Sequence, residues 1–80
     1  MPRPIVFTLR GDHIALAALL KSTALAESGG AAKALVATGV VQVDGQQELR
    51  KTCKIRAGQT VSVRGMTVRV VTATPGEADA

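Results

Sequence analysis

At Gly39 the hydrophobic spacing of this chain changes from three-and-four to two, and that switch limits the folds open to it. Upstream, Ser28-Gly29-Gly30-Ala31-Ala32-Lys33-Ala34-Leu35-Val36 reads as a helix running to about Thr38. Ser28 is placed to cap its first turn. Ala32, Leu35, Val36 and Gly39 recur at the spacing of one buried stripe, and Lys33 falls off it on the exposed flank. Gly39 suits the left-handed end of such a helix. Downstream, Val41 and Val43 point one way and Gln42 the other, and Asp44-Gly45 is a tight-turn signal between short strands. Val61 and Val63, then Val68 and Val70, alternate with polar residues about a turn at Gly65, with a further turn at Gly58.

The segment before Ser28 supplies a strand and a second helix. Ile5–Leu9 is β-prone and suits an edge strand. Asp12 is expected to cap a helix starting at His13, with Ile14, Leu16, Ala17, Leu19 and Leu20 on its apolar face. Lys21 falls at its negative end. Residues 23–27 connect the two helices. The sum is an α+β fold: two helices packed on a small, mostly antiparallel sheet.

Eighty residues make one small domain, expected over 1–74, with an Ala/Gly/Pro-rich disordered tail at 75–80. Such a chain has no room for a deep substrate cavity plus a scaffold. The net charge is +4, and two of the six acids, Glu77 and Asp79, lie in the tail, so the body is more basic still. Four of the ten basic residues fall within 50–56, as Arg50, Lys51, Lys54 and Arg56. A basic small domain points to a polyanion. The amides of Gly29 and Gly30, at the positive end of a helix, would add to such a surface.

Several classes are disfavoured. There is no Cys/His cluster for a metal, no pair of carboxylates at helical spacing and no nucleophile motif. No catalytic residue, metal site, cofactor or small-molecule substrate is therefore expected. The lone Cys53 reads as a small core residue, and the single His13 has no partner for acid–base work. No signal-peptide core follows Met1-Pro2-Arg3-Pro4, and the apolar stretch 14–20 is too short to span a bilayer. A monomeric, cytoplasmic protein without a membrane partner is expected.

The order of these pieces resembles a known family. Leu16, Leu19, Leu20 and Lys21, then Ser28, Ala32, Lys33, Leu35, Gly39, Val41, Val43, Asp44 and Gly45, then Gly58 and Val61 match the RNA-binding domain first defined in bacterial ribosomal protein S-four, the alpha-L RNA-binding motif. Residues 25–33, with Arg50-Lys51-Thr52-Cys53-Lys54-Ile55 after them, are similar to its free-standing YbcJ-like subgroup. The resemblance covers residues 14–71. It implies a non-catalytic module that binds structured RNA, such as ribosomal or transfer RNA, through Lys21, Ser28, Gly29, Gly30, Lys33, Gln42, Asp44, Gly45, Arg50, Lys51 and Lys54. The chain departs from the family at Gly29, where arginine is frequent, and at Ala15-Leu16-Ala17, where Arg-Leu-Asp is frequent. With Phe7 as its one aromatic, the chain lacks the stacking platforms of single-strand binders, so shape and phosphate contacts are expected to dominate. The alternative is a small protein–protein interaction module of a ribonucleoprotein or regulatory complex.

Overall fold

The computed structural model describes residues 4–72. Strand β1 (Ile5–Leu9) and the two-residue strand β2 (Ile14–Ala15) precede helices α1 (Leu16–Ser22) and α2 (Gly29–Ala37). Strands β3 (Val41–Val43), β4 (Gln46–Gln47), β5 (Lys54–Ile55), β6 (Thr60–Val63) and β7 (Met66–Thr72) follow. Five of them form one sheet in the order β1-β7-β6-β3-β4, antiparallel except for the parallel β1–β7 pair. This is the expected α+β arrangement, with β1 on an edge. The proposed tail at 75–80 lies outside the described residues.

Strand periodicity sends one valine set inward. Val41, Val61, Val63, Val68 and Val70 are buried with Leu16, Leu19 and Leu20 of α1 and Ala32 and Val36 of α2 in one cluster. Phe7 is half-buried and packs against that cluster. The two hairpin turns, Asp44-Gly45 and Arg64-Gly65, each place both central residues at positive φ, as two-residue turns matched to strand twist require.

The start of α1 differs from expectation. The helix begins at Leu16 rather than His13, and Asp12 does not cap it. Ile14 and Ala15 instead pair antiparallel with Ile55 and Lys54. The N–H groups of Leu16 and Ala17 then donate to the carbonyls of Cys53 (2.9 Å) and Lys51 (3.1 Å). A distant loop thus satisfies the amides that a local side chain was expected to meet. The pairing sets Ile14 beside the fully buried Ile55, where it packs against the core.

The connection between the helices is a tight reversal. The Leu25 N–H donates to the Leu20 carbonyl and the Ala24 N–H to the Lys21 carbonyl, with Ala24 at φ 63°. These two bonds define a Schellman ending in which alanine occupies the position usually held by glycine. α2 begins as expected: the Ser28 Oγ accepts from the Ala31 N–H at 3.1 Å. It ends at Gly39, φ 81°, where a β-carbon would lie 2.6 Å from Gln47 Nε2. The backbone angle favours glycine there, whereas the Gln47 amide is the movable end of an exposed side chain.

Candidate functional site

The basic run at 50–56 is shaped by two sets of contacts. Glu48 Oε2 accepts from the Arg50 N–H at 3.0 Å and from Arg50 Nε at 3.1 Å. The Cys53 N–H returns to the Arg50 carbonyl at 3.1 Å, closing a turn. The Lys51 and Cys53 carbonyls hold the start of α1, so this loop lies against that helix. The hydrogen bond from Arg50 holds the Glu48 carboxyl below its ordinary range and raises the guanidinium in turn. Burial, reinforced by the Glu48 carboxylate, pushes the Cys53 thiol up, so Cys53 is a half-buried protonated side chain against the core.

Docking that loop on α1 builds a groove from three separate segments. Its floor is Ala15, Ala17 and Ala18 with the backbone of Gly29, and Lys21, Lys33, Lys51 and Thr52 complete its walls. Lys21 lies on the α1 face of Ala17 and Ala18, and Lys33 is one turn beyond Gly29 on α2. No acidic residue lines the groove. Among the described residues, the one ion pair is Arg50–Glu48, so none of these three ammonium groups is neutralised by a carboxylate. Unneutralised cations of one sign around a low-dielectric cleft focus an attractive field on a polyanion.

Two other grooves lack this character. One, lined in part by Leu25, Leu35 and Ala34, sets Glu27 and Arg64 together. The other carries Asp44 and Glu48 with Gln46, Gln47 and Gln59.

The predicted residues separate accordingly. Lys21, Gly29, Lys33 and Lys51 meet in the lysine groove. Ser28 caps the helix at its edge, and Gly30 is exposed beside it, with only Ser28 Oγ within 4 Å of an added β-carbon. Lys54 stands directly opposite the groove residue Ala15 in the β2–β5 ladder, so its side chain leaves the same face at the margin. Arg50 is exposed but engaged by Glu48 and does not line the groove.

Gln42, Asp44 and Gly45 are elsewhere. Gln42 is exposed on β3 between Gln47 and Ser62. Asp44 acts as a fastener: Oδ1 accepts from the Thr60 N–H at 2.9 Å and Oδ2 from Gln59 Nε2 at 3.2 Å. The alanine floor was not legible in the sequence, because an alanine carries no mark of lining a site.

The family model described as S4 domain matches residues 7–71. The Escherichia coli K12 protein named "Putative RNA-binding protein YbcJ" is 54% identical over 59 residues, which cover 74% of this chain and 84% of that protein. A Shigella flexneri protein named "Uncharacterized protein YbcJ" matches with the same identity and coverage. The solution structure of E. coli YbcJ, described as revealing an alfaL motif involved in RNA-binding, superposes with a TM-score of 0.69. That match is 49% identical and covers 89% of this chain and 91% of the other.

Proposed function

The chain belongs to the S4 domain family, and we propose that it is a non-catalytic cytoplasmic protein, acting as a monomer, that binds structured RNA of the ribosomal or transfer kind by shape and phosphate contacts. One observation carries the reading: Lys21, Lys33 and Lys51 come from three separate segments and line one groove free of acids. Such a rim matches closely spaced phosphates. The start of α2 adds polarity of the right sign, since Ser28 satisfies the Ala31 amide and leaves the Gly29 and Gly30 amides for an anion. Among the described residues no group of three His, Cys, Asp or Glu is placed to hold a metal ion.

A protein-interaction module would use apolar surface instead. Among the described residues the exposed large apolar side chains are Val6, Val40 and Leu49. Val6 lies on β1 and Leu49 follows β4, at the two opposite edges of the sheet, so Val6 shares no patch with Leu49. The groove is the better supported surface.

The test is the double variant Lys33→Glu/Lys51→Glu with a purified pool of ribosomal and transfer RNA. Loss of binding with a native circular dichroism spectrum supports the reading. RNA binding that persists in a natively folded variant refutes the groove as the interface.

A further inference from the structure

The floor of the lysine groove has a chemistry that its rim does not explain. Phosphates ask for donors, and the floor offers methyl groups of Ala15, Ala17 and Ala18. The α1 amides beneath are already committed, Leu16 N–H to Cys53 and Ala17 N–H to Lys51. At Gly29 the floor is open, with nothing within 4 Å of an added β-carbon. The alkyl stems of the lysines extend the apolar surface up the walls while their charged heads face water. The result is an apolar trough of about 380 Å³ inside a cationic rim, a size in the range of small-ligand clefts.

An uninterrupted A-form duplex cannot use that combination. It presents phosphates and 2′-hydroxyls, with its base faces stacked inside. An unstacked nucleotide can use it, because its base has an apolar face and its flanking phosphates are carried on either side. Charge complementarity selects this occupant over an apolar peptide, since Lys21, Lys33 and Lys51 surround the floor with no acid among them.

We propose that the groove binds a single unpaired nucleotide of a structured RNA, a bulged or looped-out residue whose base lies on the Ala15–Ala17–Ala18 floor while its neighbouring phosphates meet the three lysines. The protein then selects helices interrupted by an unpaired nucleotide over continuous ones. This rests on the RNA-binding reading above and deepens it by naming the RNA feature recognised.

Three RNA hairpins of equal length test it: one fully paired, one with a single-nucleotide bulge, and one with an abasic residue at the bulge. Binding is read by fluorescence anisotropy at fixed salt. Wild-type protein should prefer the bulged hairpin roughly tenfold over the paired one, the scale of burying about 55 Å² of apolar base surface on the alanines at about 25 cal/mol per Å². The abasic bulge should fall to the level of the paired stem.

Ala18 is exposed on α1, so Ala18→Gln fills the floor without removing core volume or adding charge. It should bring affinity for the bulged hairpin down to that for the paired stem, with a native circular dichroism spectrum confirming the fold. Equal wild-type affinity for all three hairpins overturns the inference and leaves the RNA-binding reading standing. A preference that survives Ala18→Gln overturns the placement of the base. Binding to none of the three refutes RNA binding itself, and the inference with it.

Discussion

Replacing Lys33 by glutamine should flatten the salt dependence of RNA binding, and replacing Arg50 by glutamine should not. In the sequence both are candidate RNA contacts, Lys33 in the first turns of a helix and Arg50 opening the densest basic run. In the structure they differ. Lys33 lines the groove with no carboxylate beside it, whereas Arg50 Nε is 3.1 Å from Glu48 Oε2 and the pair carries no net charge.

Each phosphate neutralised by a duplex-binding protein contributes a slope of about −0.9 in log K against log salt. Between 50 and 200 mM salt that is roughly a 3.5-fold loss of affinity per contact. Three groove lysines give a loss of about 40-fold, and a fourth contact from Lys54 at the margin raises it to about 150-fold. Lys33→Gln removes one factor of about 3.5 from whichever total is measured, and Arg50→Gln removes none.

The assay is fluorescence anisotropy with a labelled structured RNA at four salt concentrations, circular dichroism confirming the fold of each variant. A Lys33→Gln slope equal to wild type would refute the groove. So would an Arg50→Gln slope reduced as much as that of Lys33→Gln.

Three further outcomes follow from local geometry. Ala24, at φ 63° in the reversal after α1, carries left-handed strain that glycine lacks, so Ala24→Gly should raise stability by about 1 kcal/mol, read by thermal unfolding. Asp44→Asn keeps an oxygen for the Thr60 N–H and tolerates φ 51°, so fold and RNA affinity should both be retained; Asp44→Ala should lower the melting temperature while leaving affinity unchanged when measured well below it. Glu48 titrates below its ordinary 4.5 because of Arg50, so its stabilising contribution is present above that value and fades as pH falls through the depressed one. Glu48→Gln should therefore flatten the acid limb of stability against pH. It should also speed alkylation of Cys53 near pH 8, because the carboxylate helps hold that thiol protonated.

Local pattern determined much of this protein. The stripe of Ala32, Leu35 and Val36 placed α2, the Ser28 cap and Gly39 set its ends, and alternating valines placed the hairpins. These features rest on interactions between residues a few positions apart, so they are written where they act. The start of α1 is of another kind. Its amides are met by carbonyls more than thirty residues away, and the β2–β5 pairing responsible involves two residues per strand, too short for a periodicity to announce.

The site divides along the same line. Sequence shows which side chains are cationic, and it named Lys21, Lys33 and Lys51, which the fold brings to one groove. It could not show that Arg50 turns to Glu48, that Asp44 spends its carboxylate on Thr60 and Gln59, or that three alanines lie between the lysines. Charge is a property of the residue, whereas who stands beside that charge depends on how distant segments pack. Composition and local pattern therefore made this a basic α+β domain, and only the docking of the 48–53 loop on α1 turned dispersed cations into a groove.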